Sequence, residues 1–265
     1  MRLPHYHPDM PFLVSWSQKA GCTSVLKWFL FHAGVLEEAL AYSDSDPGMD
    51  IHSYEMRVFK AEKGYRRAVQ QALYVGMPVL NFLRCPFQRT FSAYVHLSNR
   101  FFINLERKGI TSMGLRTRQR LLRHVYGDDV GIEYPVSFLD YLGWLEAEVD
   151  TLDDPHHMPQ HSAIYACPTI EHYRLEDFDR AVVEIEQRFG LKPSRGQALG
   201  SGHHRPKSPV ADRAALRLLE RALPLNPSPQ FRLPRVTREL LAGTEFEARI
   251  QRLYARDIAL YDSLG

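Results

Sequence analysis

The stretch FLVSWSQKAGCTSVLKWFLFHAG, Phe12–Gly34, decides the fold. Phe12–Trp16 reads as a short buried strand, and Thr23–Ala33 reads as a helix that Gly34 ends at its C′ position. Apolar residues run nearly all round this helix (Val25, Leu26, Trp28, Phe29, Leu30, Phe31), as in a helix packed between a sheet and other helices; Lys27 is the exception. The polar link SQKAGCTS joins strand to helix. A chain that turns this way gathers backbone N–H groups and the positive end of the helix dipole around one point, which suits a phosphate or a sulfate. Lys19 adds a point charge there, and Thr23 and Ser24 add hydroxyl donors.

The pattern recurs after Met77-Pro78. Val79–Arg84 reads as a second strand, and Pro86 suits the first turn of a helix continuing through Phe91, Tyr94 and Val95. Ser137 is placed to cap a helix with the stripe Phe138, Leu142, Leu145 and Val149. TIEHYRLED reads as another strand, followed by the stripe Phe178, Val182, Ile185 and Phe189, closed by Gly190. A last amphipathic helix carries Phe246, Ile250, Leu253 and Tyr254. Strands alternating with helices predict an α/β domain with a mainly parallel central sheet flanked by helices, whose ligands bind beyond the carboxyl ends of the strands.

The chain reads as a single domain over 1–265. Within it, 193–209 is rich in Gly, Ser, Pro and basic residues and reads as a mobile loop; Ser208-Pro209 begins a further helix, and 210–265 forms a C-terminal helical part. A formal charge of +2 over 265 residues is too small for general nucleic-acid or membrane binding, although it permits a local basic pocket. Three cysteines without CxxC spacing argue against a disulfide framework and a zinc knuckle, and fit a reducing compartment. No run approaches the roughly 18 apolar residues of a spanning helix, and MRLPHYHPDMPF has no apolar signal core, so a soluble, cytoplasmic protein is expected. Its oligomeric state is left open.

The link is not a Walker A loop, in which the Lys immediately precedes the hydroxyl residue. With Lys19 leading, it resembles the 5′-phosphosulfate loop of sulfotransferases that use 3′-phosphoadenosine 5′-phosphosulfate, in the PKxGCTS form of the carbohydrate sulfotransferase group. Gln18 replaces the Pro of that pattern. RCPFQRTFSAYVH, Arg84–His96, resembles the same group's 3′-phosphate motif, RDPFERLxSAY, with Cys85 for its Asp and Gln88 for its Glu. DDPHHMPQ resembles its HWxPQ segment at His156, Pro159 and Gln160, with His157 where an aromatic is common. The resemblance covers about residues 12–191 and extends at most to the C-terminal helix, concentrated in these motifs.

What the resemblance implies is a P-loop-like three-layer sandwich and transfer of a sulfuryl group to a hydroxyl of a carbohydrate or glycolipid-like acceptor. Lys19 would lie near the bridging and leaving oxygens, the amides of Ala20, Gly21, Cys22, Thr23 and Ser24 would hold the 5′ end, and Arg84 and Ser92 would hold the 3′-phosphate. No metal is required. Independently of the resemblance, the basic loop is placed to fold over the nucleotide with Arg205 and Lys207 reaching its phosphates, the alternative being a solvated loop. A general base is expected to be a histidine, from twelve in the chain. His52 lies between the nucleotide motifs, where the uronyl 2-O-sulfotransferase branch carries its catalytic His; His156 is the alternative base or an acceptor-binding residue.

His156, His157 and His161 also invite a metal reading, but HHxxxH lacks the helical carboxylate context of a zincin and Pro159 interrupts a helix. His5 and His7 read as solvated. Cys22 and Cys85 read as small packing residues, a redox pair being the alternative. Two other function classes stay in view: an ATP-dependent small-molecule kinase, and a non-catalytic nucleotide-binding scaffold protein.

Overall fold

The computed structural model describes residues 3–46, 49–99, 101–196, 199, 213–222 and 236–264. In chain order the elements are β1 (Leu13–Trp16), α1 (Cys22–His32), α2 (Leu36–Asp44), α3 (Ile51–Tyr54), a π turn (Glu55–Phe59), α4 (Tyr65–Tyr74), β2 (Val79–Leu83), α5 (Pro86–Leu97), α6 (Phe101–Arg107), α7 (Met113–Tyr126) and α8 (Phe138–Glu148). There follow β3 (Ile170–Arg174), α9 (Phe178–Phe189), α10 (Arg213–Glu220), α11 (Arg238–Leu241), α12 (Glu245–Leu253) and α13 (Ala255–Asp262). The chain divides into two compact units, one comprising Met1–Arg84, Gln160–His203 and Ser263–Gly265, the other Cys85–Pro159 and His204–Asp262.

The first unit is α/β. Its three strands are all parallel in the order β1-β2-β3, with Leu13 opposite Val79 and Val79 opposite Ile170. The central strand VLNFL is buried at every residue, as a strand covered on both faces must be. Alternation sends Val14, Trp16, Leu80 and Phe82 into one apolar cluster with Val25, Leu26 and Phe29 of α1 and Val182 and Ile185 of α9. It sends Leu13 and Val79 into another with Tyr65, Val69 and Ala72 of α4. Helices thus cover both faces of the sheet. The predicted strand and helix of the opening stretch appear within a residue of their expected ends, and Gly34, at φ 75°, closes α1: its N–H donates to Phe31 O and that of Val35 to Leu30 O.

The leader departs from expectation. His5 is not solvated; it is 1% exposed. Its backbone forms an antiparallel bridge with Val14, and its ring stacks on Trp16 at 4.1 Å. The bridge covers the outer edge of β1, which would otherwise present unpaired N–H and C=O groups.

The named elements of the second unit are all helices, α5 to α8 and α10 to α13. Its core is an aromatic cluster in which Phe138 packs on Phe91, Tyr94, Tyr141 and Phe246. Ser137 caps α8 as expected, in a box completed by Asp140. Buried Arg118 directs its N–H groups to backbone carbonyls, those of Leu97, Ile132 and Tyr134. Among the described residues, no helix is long and apolar enough to cross a membrane.

Candidate anion loop and histidine site

The loop between β1 and α1 is a tight turn in which Ala20 N–H donates to Ser17 O at 3.2 Å. Lys19 occupies the third position of this turn at φ 66°, and it alone among the described non-glycine residues has a positive φ. A left-handed lysine is disfavoured by about 1–2 kcal/mol. Gly21 follows at φ 70°, as the N-cap residue of α1. The left-handed backbone angle favours glycine there, and a Cβ would also press on the end of the Leu175 side chain. The first turn of α1 carries no acidic residue and its cap no side-chain hydrogen bond. A helix start of this kind presents its N–H groups and positive dipole end to an anion.

Arg84, just past β2, reaches this loop: its Nη1 donates to Lys19 O at 3.0 Å. Arg84 is itself gripped by Gln160. The Gln160 carboxamide accepts from Arg84 N–H at 3.0 Å and donates to Arg84 O at 2.9 Å, and its oxygen also accepts from Ser17 Oγ at 3.1 Å. One buried side chain therefore ties the end of β1 to the end of β2.

Thr23, in the first turn of α1, brings in the expected histidine. Its Oγ1 lies 3.4 Å from His52 Nε2, and His52 Nδ1 lies 2.9 Å from Glu55 Oε2. Glu55 is fully buried; its other oxygen takes bonds from Lys60 Nζ and His5 Nε2, each at 2.9 Å. Lys19, Thr23, His52 and Arg84 thus come together around one loop. Glu55, Lys60 and His5 were not foreseen. The spacing of His52 and Glu55, three apart, was the available signal, because such residues share a helix face.

Ser92 and His156 belong to the second unit. Ser92 is half-buried on α5. His156 pairs through Nδ1 with Asp154 Oδ1 at 2.7 Å and stacks on His96 with ring centroids 4.7 Å apart. Asp154 also accepts from Thr117 Oγ1 at 2.8 Å. Burial alone would raise the Asp154 carboxyl, but the His156 ring and N–H and the neighbouring His157 hold it well below the usual carboxylate range. His157 is buried, its Nδ1 2.8 Å from Tyr141 Oη, and its carbonyl accepts from Tyr254 Oη. His161, in the first unit, is exposed. Among the described residues no group of three or more His, Cys, Asp or Glu is placed to hold a metal ion. Arg205, Lys207 and the helix expected from Ser208 lie outside the described residues.

Comparison with protein-family models, with curated proteins and with solved structures finds no match to this chain.

Proposed function

We propose that this protein is a P-loop-like sulfotransferase that moves a sulfuryl group from 3′-phosphoadenosine 5′-phosphosulfate to a hydroxyl of a carbohydrate or glycolipid-like acceptor. The observation that carries the reading is the left-handed Lys19, fixed by Arg84 ahead of the acid-free start of α1. A conformation disfavoured at lysine persists where the surroundings over-determine it, and such strain clusters at functional sites. The parallel sheet with a strand–loop–helix unit at its start supports the same reading.

The nucleotide supplies a sulfur centre with a phosphate leaving group, so the protein's work is positioning and charge stabilisation. In this reading the amides of Ala20–Ser24 and the hydroxyls of Thr23 and Ser24 donate to the 5′ oxygens. The Lys19 ammonium offsets charge growing on the leaving phosphate oxygen. Arg84 serves the 3′-phosphate, with the planar donor geometry suited to it. His52 Nε2 takes the acceptor's proton. Ser92 and His156 enter through the sequence resemblance, as a 3′-phosphate donor and as an acceptor-side histidine. The reaction asks for no metal, and three free thiols accord with a reducing, cytoplasmic setting.

The test is calorimetric titration with 3′-phosphoadenosine 5′-phosphate beside ATP and AMP. Binding that depends on the 3′-phosphate is the expected result. No binding, or a preference for ATP, overturns the reading in favour of the scaffold or the kinase.

A further inference from the structure

We propose that Glu55 is the positioning residue of this site, setting the tautomer of His52 so that Nε2 is its proton-accepting atom. The inference rests on the reading of His52 as the base. Glu55 is wholly buried, and its Oε1 is held by two donors from different parts of the chain. Lys60 is one; the other is His5, itself pinned by its bridge to Val14 and its stacking on Trp16. A buried carboxylate beside an ammonium is kept ionised, and an ionised carboxylate can only accept. His52 Nδ1, 2.9 Å from Oε2, must therefore carry the proton of that bond. Its Nε2 is then the lone-pair nitrogen, and it is this atom that faces Thr23 Oγ1 in the first turn of α1.

The local chain is built to aim the pair. Asp50 and Ser53 form a reciprocal capping box at the start of α3, which orients a helix only one turn long. The chain then widens into the π turn beginning at Glu55. Such turns recur at functional sites. In the reaction, Nε2 accepts the acceptor's hydroxyl proton as the new oxygen–sulfur bond forms. The sulfur–oxygen bond to the nucleotide breaks, and its electron pair departs on the phosphate. Glu55 touches no reacting atom; it acts through His52, stabilising the imidazolium that results.

The experiment is long-range nitrogen–proton NMR on the intact protein labelled with ¹⁵N-histidine, with His52→Ala giving the assignment. Read where the ring carries a single proton, the expected result is that proton on Nδ1; finding it on Nε2 overturns the proposal, and the measurement needs no variant that disturbs the core. In kinetics, Glu55→Gln is expected to lower kcat by about 10²-fold with KM changed by less than about threefold. In the His52→Ala background it should cause no further loss. An equal loss in that background makes Glu55 merely structural and also overturns the proposal. Failure of the sulfotransferase reading is read separately, in the wild-type titration with 3′-phosphoadenosine 5′-phosphate.

Discussion

The side chain of Gln160 hydrogen-bonds both backbone groups of Arg84, at 3.0 and 2.9 Å. It does for the end of β2 what another strand would do, and with Ser17 it sets the spacing of the two strand ends from which Lys19 and Arg84 emerge. Gln160→Leu removes both of its bonds to the Arg84 backbone and the one from Ser17, so a loss of about 1–3 kcal/mol is expected from urea unfolding. Calorimetry should show weaker nucleotide binding in the same variant. Unchanged affinity would mean that Arg84 finds its place without the clamp.

Lys19 separates charge from conformation. Lys19→Gly relieves the left-handed strain and is expected to raise stability by about 1 kcal/mol, while Lys19→Met keeps the fold. Both should lose sulfuryl transfer by at least about 10²-fold. Full activity in Lys19→Met would remove the cation from the mechanism.

Gly21 is constrained twice. Gly21→Ala is expected to destabilise by about 2–4 kcal/mol, from its φ of 70° and the overlap with Leu175. Leu175→Ala in the same chain should recover about 1 kcal/mol of this, the part due to contact. Strict additivity would show that backbone angle alone decides.

Acid should weaken the first unit through two imidazoles. Burial, and secondarily the charge of His161, pushes His172 below the ordinary histidine value of 6.5; burial does the same to His32, outweighing its bond to Glu186. His172 Nδ1 must accept from Asn81 Nδ2, whose second hydrogen goes to Tyr165 Oη. At a pH between the lowered and ordinary values the unfolded chain binds more protons than the folded one, so stability rises with pH. It is complete above about 6.5 and lost as pH falls through the lowered values. Urea midpoints at pH 7.5 and 5 should show this drop, and a smaller one in His172→Gln.

Asp154 is the anchor of the DDPHHMPQ turn. Asp154→Asn keeps the shape but not the charge that pairs with His156, and is expected to cost about 1–3 kcal/mol at neutral pH. The carboxylate's contribution is present above its ordinary value near 3.9 and fades as pH falls through the lowered one. The difference between wild type and variant should therefore shrink in acid; a constant gap would assign it to packing.

What the sequence determined by itself is local. Phe12–Gly34 holds its own strand, turn and helix, Ser137 with Asp140 caps α8, and Gly190 ends α9, because each depends on residues a few positions apart. Lys19, Thr23, His52 and Arg84 could be singled out as candidates for the same reason, from residue type and order along the chain. Tertiary packing alone decided what holds them. Glu55 meets His5 across 50 positions and Gln160 meets Arg84 across 76, and no spacing rule reaches that far. A buried carboxylate or carboxamide takes whichever donors the fold brings within about 3 Å, since leaving it unpaired would cost more than ordering its partners. His5 shows the consequence: polar by type, it is buried because the edge of β1 and the carboxylate of Glu55 both required it.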